Sequence, residues 1–207
     1  MDKLKDKSVL IVGCGGLGGY VIEELSRIGV GKLILVDGDV FSRSNMNRQL
    51  MAKEETLGKS KVETYAKRLG EISNCQVEVH SEFLTEDNTH LIDQADIVID
   101  CVDNVEARFL IAKACKEKGK MFVHGAIDGE EGQVMLCLPE DNTFEKYYRA
   151  VDDTLRHDTV SYAVATVASI EANVAVKALL GQQDKFKGKL IIIDLESVFV
   201  KIIDLAL

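Results

Sequence analysis

The chain has 207 residues and a mass of 22.8 kDa, which is enough for one compact α/β domain but not for two ordinary domains. Apolar residues make up 46% and charged residues 29%, a balance that excludes a disordered or collagen-like chain. Acidic residues outnumber basic ones by 34 to 25, and a net charge of −9 repels phosphodiester backbones. We therefore expect no nucleic-acid partner and no large modular enzyme.

The cysteines indicate a reducing compartment, and the apolar segments indicate neither a signal peptide nor a membrane span. The five cysteines are odd in number and never form a C-x-x-C pair, so the sequence predicts neither a disulfide framework nor a zinc site. The apolar stretch near the N-terminus is too short for a signal peptide. The most apolar long segment, residues 159–180, is interrupted by Glu171, Asn173 and Lys177 and is expected to be a buried helix. We expect a cytoplasmic protein without a membrane span.

The first elements predict a βαβ unit. Residues 9–12 form a short apolar run, and a glycine-rich turn at residues 13–18 follows at once. After the turn, apolar residues recur at helical spacing as far as Ile28, and Gly29 ends that helix. Residues 33–37 then indicate a second buried strand. A parallel sheet follows from this order.

The remaining elements continue the alternation of strands and helices, in this order: a helix at 59–69, strands around 77–79 and at 96–101, a helix at 106–118, an apolar run at 121–123, a strand at 133–138, a polar irregular crossover loop at about 139–158, a long helix at 159–180, and strands at 190–194 and 198–203. The pattern predicts a Rossmann-like, doubly wound α/β fold. Its sheet is expected to be mainly parallel with a C-terminal antiparallel hairpin, in a single domain over residues 1–207.

The glycine turn predicts a nucleotide site. In Gly13-x-Gly15-x-x-Gly18, the glycines allow a tight turn and a close approach of the backbone to phosphate, and the following helix presents free N–H groups. Asp37 ends the next strand, where a carboxylate can accept hydrogen bonds from a ribose. The alternative is that the glycines only pack a strand against a helix.

The glycine pattern alone favours NAD over ATP. However, none of the five tyrosines is followed four residues later by a lysine, which excludes the Tyr-x-x-x-Lys pair of short-chain dehydrogenases. The chain also leaves little room for the separate substrate domain of other dehydrogenases. The choice of nucleotide therefore depends on the segments that follow.

Those segments resemble a known family. The stretch Leu35-Val36-Asp37-Gly38-Asp39, the loop Ser44-Asn45-Met46-Asn47-Arg48-Gln49 and the stretch Gly58-Lys59-Ser60-Lys61-Val62 resemble the ThiF/MoeB/HesA family of ubiquitin-activating-enzyme-like adenylyltransferases. Residues 101–104 with Arg108, Gly125-Ala126 and residues 131–134 are similar to the middle section of that family. The resemblance extends from Val9 over nearly the whole chain.

The resemblance implies an ATP- and Mg²⁺-dependent reaction in which a C-terminal glycine carboxylate attacks the α-phosphate of ATP. Arg48 and Asn45 would stabilise the transition state, whose phosphate oxygens gather negative charge. Lys61 would contact the phosphates, with Lys59 as its competitor. The nucleotide contacts implied in addition are Gly13, Gly15, Gly16, Gly18, Asp37, Asp39, Asn47, Gln49, Asp103 and Asn104.

Asp103 is the expected Mg²⁺ ligand, because it follows a buried strand at its carboxyl end and magnesium takes few protein carboxylates. Asp100 competes for this role, but it lies within the strand, and its alternative roles are those of a helix-capping acid or a hydrogen-bonded core acid. Of the four histidines, only His124 lies near the predicted sheet edge.

The sequence also departs from the family pattern. Zinc-bearing members carry two C-x-x-C pairs that are absent here, so we expect no zinc. The crossover loop contains no cysteine, and Cys137 just before it is expected to be a buried apolar residue rather than a covalent catalyst. The N-terminal segment that supplies an arginine to the partner subunit in many members is not expected here.

The resemblance implies a specific function. The expected activity is adenylation of the C-terminal glycine of a ubiquitin-like sulfur carrier ending in Gly-Gly, with release of pyrophosphate, in thiamin- or molybdopterin-type sulfur transfer, by a homodimer. One alternative is an enzyme like the transfer RNA threonylcarbamoyladenosine dehydratases, which the net charge of −9 disfavours. A second alternative is a non-catalytic nucleotide-binding module.

Overall fold

The structure is a computed structural model that describes residues 2–140, 142–148 and 159–205. The described strands are β1 (Ser8–Val12), β2 (Lys32–Val36), β3 (Gln76–His80), β4 (Ile97–Asp100), β5 (Met121–Asp128), β6 (Glu131–Cys137), β7 (Lys189–Asp194) and β8 (Phe199–Asp204). The described helices are α1 (Gly16–Ile28), α2 (Lys61–Ile72), α3 (Val105–Glu117), α4 (Thr143–Tyr148) and α5 (Ser161–Leu179).

All eight strands belong to one sheet in the order β3-β2-β1-β4-β5-β6-β7-β8. The first five strands of that order are parallel, and β1 lies between β2 and β4. The chain therefore leaves β1 on one side and later returns on the other, which is the topology of a doubly wound fold. The predicted Rossmann-like architecture is confirmed.

The antiparallel part of the sheet is larger than predicted. The predicted hairpin is present as β7 and β8, with Asp194 opposite Phe199. In addition, β6 pairs antiparallel with both β5 and β7, so three strands rather than two extend the parallel sheet. The β5–β6 turn at residues 129–130 brings polar residues to the same edge of the sheet as the glycine turn.

Helices cover both faces of the sheet because alternate residues of its central strands are apolar and fully buried. Val9 and Ile11 of β1 pack in one layer with α1, α2 and α5. Leu10 and Val12 point to the opposite layer, which contains α3 and a 3₁₀ segment at Glu86–Gln94. Strands buried on both faces are typical of parallel sheets covered by helices.

The long apolar helix α5 lies against this core. It is the one described helix whose length and composition would allow it to cross a membrane, and 61% of its apolar window is buried inside the protein. It packs on α1 and on strands β5 and β6. Its apolar character is therefore explained by contacts within the fold.

The segment predicted to be an irregular crossover loop contains a helix. Residues 143–148 form α4, which is anchored by the buried Phe144. The Phe144 ring packs edge-on against Phe122 at 5.4 Å and against Phe109 at 5.6 Å between ring centroids. The sequence pattern missed this helix because a single buried aromatic residue gives no periodicity. The rest of the predicted loop, residues 149–158, lies outside the described residues.

Candidate active site

A cavity of about 1460 Å³ opens at the carboxyl ends of the parallel strands. It begins at the glycine turn between β1 and α1 and continues past β4 to the β5–β6 turn and β7. In open α/β sheets, ligands bind at this edge where the winding direction reverses. The volume exceeds the range of about 300–1,000 Å³ that is usual for a single small ligand, which leaves room for a second substrate.

The glycine turn brings three backbone segments together. Gly13 has a φ of +91°, and a Cβ placed on it would lie 2.6 Å from the carbonyl oxygen of Cys101. A Cβ on Gly18 would lie 1.9 Å from the carbonyl oxygen of Gly13. Gly13, Gly15 and Gly16 line the cavity, whereas Gly18 is not part of its wall and packs against Gly13.

Asp37 is fixed at the end of β2 by main-chain donors. Its carboxylate accepts one hydrogen bond from the Cys14 N–H at 2.6 Å and another from the Asp39 N–H at 2.7 Å. The side chain is buried but lines the cavity. Each carboxylate oxygen retains a further lone pair, so the arrangement fits the predicted contact with a ribose hydroxyl.

Lys61 is the lysine that reaches the cavity. It is the first residue of α2, and its ammonium group lies 2.9 Å from Asp39 Oδ2 and 3.8 Å from Asp37 Oδ2. Its competitor Lys59 is exposed and is not part of the cavity wall. The structure therefore brings Lys61, Asp37 and Asp39 together as a charged group beside the glycine turn.

Asn45 and Arg48, both in the polar loop that follows β2, are placed differently. Asn45 lies outside the cavity wall, and its Oδ1 accepts the Ser42 N–H at 3.0 Å, which closes a short 3₁₀ turn. The Asn45 side-chain oxygen is therefore used within its own turn, and its contact with the transition state stays a prediction. Arg48 does line the cavity, where its guanidinium donates to the Ser44 carbonyl at 3.0 Å and to Asn47 Oδ1 at 2.9 Å. Asn47 also donates to the Thr159 carbonyl at 3.1 Å, which ties the loop to the start of α5.

Gln49 contributes a buried polar atom to the same region. The residue is 8% exposed, and its Oε1 has no hydrogen-bond partner within the described part of the chain. A Cβ on Gly15 would lie 3.3 Å from Gln49 Nε2, which places the Gln49 amide directly beside the glycine turn. Because buried polar atoms are normally paired, an unpartnered acceptor beside the glycine turn fits a polar ligand.

The loop after β4 carries Asp103 and Asn104, and both line the cavity. Asn104 accepts the Ala107 N–H at 2.8 Å and so caps α3, which it does in addition to facing the cavity. Asp103 lies one residue before that cap and close to the carboxyl end of β4, and its role as a metal ligand stays a prediction. Arg108, to which the sequence assigned no role, is buried and donates to the Val102 carbonyl at 2.6 Å.

The competitor Asp100 is a core acid. Its side chain is fully buried, and its carboxylate accepts from the Val102 N–H at 3.2 Å and contacts His124 Nδ1 at 2.8 Å. Asp100 is therefore not placed to bind a metal in the cavity. No group of three or more His, Cys, Asp or Glu side chains suited to a metal ion occurs among residues 2–140, 142–148 and 159–205.

The far end of the cavity contains residues that sequence reasoning did not assign. Gln133 of β6 and Tyr147 of α4 line it and are hydrogen-bonded to each other. Burial raises the pKa of Tyr147, which keeps its hydroxyl protonated. Gln133 belongs to the stretch that resembles the family, which is the only sequence signal that could have found it.

The cysteines near the site are buried and unreactive. Burial raises the pKa of the Cys14 and Cys101 thiols well above the usual value, so neither forms a thiolate at neutral pH. Cys137 is buried in the apolar layer that contains α3, as predicted. Its position agrees with a packing role.

The comparison with protein families decides the classification. The sequence matches the family described as "ThiF family" over residues 1–206. The chain belongs to the ThiF family. This finding agrees with the resemblance carried by the glycine turn, the 44–49 loop and residues 101–104.

Curated relatives of this ThiF-family chain include enzymes named as adenylyltransferases. The chain is 34% identical over 201 residues to "Adenylyltransferase and sulfurtransferase MOCS3" of Drosophila sechellia, covering 93% of this chain and 44% of that protein. It is 31% identical over 200 residues to "SAMP-activating enzyme E1" of Haloferax volcanii, covering 93% of this chain and 74% of that protein. The chain thus spans less than half the length of the first of these relatives.

Solved structures support the fold. The crystal structure of E. coli MccB with ATP superposes with a TM-score of 0.83 and covers 99% of this chain and 66% of that protein. The sequence identity is 21%, so this likeness concerns the fold alone.

Proposed function

We propose that this protein is an adenylyltransferase that activates the C-terminal glycine carboxylate of a ubiquitin-like sulfur carrier with ATP. The observation that supports it most is the arrangement of Arg48, Lys61 and Asp103 around one cavity at the strand ends, next to a glycine turn. The names of the relatives from Drosophila sechellia and Haloferax volcanii favour the same reaction. These two names do not distinguish thiamin-type from molybdopterin-type sulfur transfer.

The nucleotide would bind at the β1–β2 end of the cavity. The N-terminus of α1 offers free backbone N–H groups to phosphate, and Asp37 offers acceptor lone pairs to the ribose. Gln49 Oε1 supplies a further acceptor close to Gly15. Lys61 would exchange part of its contact with Asp39 for the phosphates, since its flexible ammonium group already lies at the cavity wall.

In this reaction a carboxylate oxygen of the acceptor forms a bond to the α-phosphorus, and the bond from that phosphorus to the β-phosphate oxygen breaks. Negative charge accumulates on the phosphate oxygens, so pre-placed cations lower the barrier. Arg48 is held by Ser44 and Asn47 at the cavity wall and would supply such a charge.

Asp103 is the residue that would hold Mg²⁺. A single carboxylate beside a phosphate site suits magnesium, which completes its coordination with water and phosphate oxygens. When bound, the metal neutralises charge on the phosphates and orients them. The position of Asp103 between β4 and the capped start of α3 keeps the carboxylate at the cavity edge.

ATP–pyrophosphate exchange with Mg²⁺ tests the proposal. The exchange is measured with and without a carrier protein that ends in a free Gly-Gly, together with Asp103→Ala. We expect exchange that requires the carrier and is lost in the variant. Binding of ATP without exchange for any of several carriers would contradict the proposed acceptor and favour a non-catalytic nucleotide module.

The assembly and location of the protein remain proposals. We propose a homodimer in the cytoplasm, on the basis of the family and of the cysteine composition. Analytical ultracentrifugation at several concentrations tests the dimer, and a monomer throughout would contradict it.

A further inference from the structure

A chain of four polar side chains links the buried core of the sheet to the far end of the cavity. Asp100 of β4 contacts His124 Nδ1 of β5 at 2.8 Å, and His124 Nε2 contacts Gln133 Nε2 of β6 at 3.1 Å. The Tyr147 hydroxyl of α4 contacts Gln133 Oε1. Asp100 and His124 are fully buried, whereas Gln133 and Tyr147 line the cavity.

The direction of each hydrogen bond in this chain is determined by its buried end. An ionised carboxylate only accepts hydrogen bonds, and Asp100 already accepts the Val102 N–H through Oδ1. His124 must therefore donate from Nδ1 to Asp100 Oδ2, which leaves Nε2 as an acceptor. Gln133 then donates its amide N–H to His124, and its Oε1 accepts from Tyr147.

The surroundings of His124 keep the imidazole neutral. The pKa of His124 is lowered: burial is the largest cause, the adjacent Asp100 carboxylate opposes it, and the Arg108 cation on α3 acts in the same direction as burial. Glu171 of α5 lies close by and is also buried, and the ring of Phe144 on α4 packs against the imidazole at 5.2 Å between centroids. A neutral imidazole with a single proton has one defined tautomer here.

The orientation of the Gln133 amide follows from that tautomer. After its bonds to His124 and Tyr147, the amide retains one N–H and one oxygen lone pair. One donor and one acceptor on a planar amide match the N–H and C=O of an extended peptide unit. A flipped amide would present the two groups in the reverse order.

Gln133 is also placed away from the nucleotide end. Its strand β6 is separated from β1 by β4 and β5, which at about 4.8 Å per strand gives roughly 14 Å. The same cavity connects the two positions. When the terminal carboxylate of an acceptor reaches the phosphates, the residues that precede it therefore lie along the part of the cavity wall that contains Gln133.

We propose that Gln133 binds a peptide group of the acceptor's C-terminal segment, and that Asp100 and His124 are positioning residues that fix which edge of the Gln133 amide donates. This inference rests on the proposed function, because it assigns the acceptor half of the same cavity. It identifies the ligand as extended polypeptide backbone, independent of side-chain identity.

Asp100→Asn tests the inference because it retains the shape and reverses the polarity of the chain. The Asn oxygen still accepts from Val102, so its NH₂ group faces His124 Nδ1 and moves the imidazole proton to Nε2. His124 then donates to Gln133, and the amide flips. We expect kcat/KM for the carrier in pyrophosphate exchange to fall about tenfold or more, since buried polar groups are then mismatched with the peptide, while the Kd for ATP stays unchanged.

The tautomer is read by imidazole ¹⁵N chemical shifts in a background with His80→Gln, His90→Gln and His157→Gln. Asp93→Asn, which removes an exposed carboxylate paired with Lys118, is the matched control and is expected to change neither the shifts nor the kinetics. Gln133→Met removes the amide, so its side chain has no orientation for Asp100 and His124 to fix. We expect this variant to raise the carrier KM by a similar factor while the Kd for ATP stays unchanged.

Three results would overturn the inference. One is an unchanged His124 tautomer in Asp100→Asn, and another is a switched tautomer with unchanged carrier kinetics. The third is unaltered carrier KM in Gln133→Met. The wild-type protein decides the proposed function separately. If it shows no carrier-dependent exchange, the proposed function is overturned, and the role of Gln133 falls with it.

Discussion

The two ends of the cavity are built in different ways. At the β1–β2 end, the wall consists largely of backbone, because the glycine turn brings Gly13 and Gly18 into contact and Asp37 is held by main-chain N–H groups. At the β5–β6 end, the wall consists of side chains joined to each other, such as Gln133 and Tyr147. Gly13 and Gly18 at the first end therefore leave no room for a Cβ, whereas the second end depends on the direction of its hydrogen bonds.

This difference predicts that the glycine-turn end contributes to the stability of the fold and that the β5–β6 end contributes to the choice of acceptor. Changes at the glycine turn should disturb packing as well as nucleotide binding. Changes at the β5–β6 end should alter the use of the acceptor and leave the nucleotide site intact. The charged residues between the ends, Asp103 and Arg48, should affect the reaction and little else.

Asp103→Ala is expected to have the largest effect. Removing the carboxylate that would hold Mg²⁺ takes away charge neutralisation at the phosphates, so carrier-dependent exchange should fall about 10³-fold. Raising the Mg²⁺ concentration should restore part of the rate. Asp96→Asn, which loses only contacts to Ser8 at the opposite end of the sheet, provides the control and should retain exchange. Full activity of Asp103→Ala would contradict the proposed role of Asp103 in holding Mg²⁺.

Arg48→Ala should lower kcat for exchange by about 10²-fold, because one pre-placed cation is lost where negative charge develops. Arg43→Ala is the matched control, since Arg43 lies in the same loop but is paired with Glu54 at the exposed surface at 2.7 Å. Equal losses in the two variants would show that the loop, and not the Arg48 charge, is responsible.

Gly18→Ala tests the packed end of the cavity. Because a Cβ would lie 1.9 Å from the Gly13 carbonyl oxygen, the helix must shift, and the free energy of unfolding should decrease by about 3 kcal/mol. Gly70→Ala in α2 meets no atom within 4 Å and should increase stability by about 0.5–1 kcal/mol. Urea unfolding monitored by circular dichroism measures both, and a neutral Gly18→Ala would contradict the close contact.

Glu171→Gln should have the smallest effect at about pH 5, and the effect should grow as the pH rises. Burial, and then the Asp100 carboxylate, raise the pKa of Glu171 well above its usual value. Above about pH 4.3 the unfolded chain loses this proton while the folded protein retains it, so wild-type stability falls with rising pH by up to about 1.4 kcal/mol per unit. Glu171→Gln lacks this loss and should become more stable than wild type as pH rises.

Paired urea titrations between pH 5 and pH 8, in roughly unit steps, measure the difference between the two proteins. Glu24→Gln provides a comparison, because half-burial raises the pKa of Glu24 as well, and it should show a weaker effect of the same sign. A difference between wild type and Glu171→Gln that does not depend on pH would show that Glu171 is not protonated in the folded protein.

The sequence predicted the parallel half of the sheet, and it also named Asp37 and Lys61, which the structure brings to one end of the cavity, because both depend on local patterns. Asp37 follows a buried run, and Lys61 begins a helix with apolar residues on one side. The far end depends instead on contacts between β4, β5, β6 and α4 that are distant in the chain. Asn45 was assigned to the site by resemblance, whereas its short amide side chain is used within its own turn.

The most direct test of the central claim follows the oxygen atoms of the acceptor. A carrier with ¹⁸O in its C-terminal carboxylate is incubated with ATP, Mg²⁺ and the protein, and hydroxylamine intercepts the activated carboxyl. If the carboxylate attacks the α-phosphorus, AMP carries ¹⁸O and pyrophosphate carries none. Unlabelled AMP, or label in ADP or inorganic phosphate, would contradict adenylation of the acceptor.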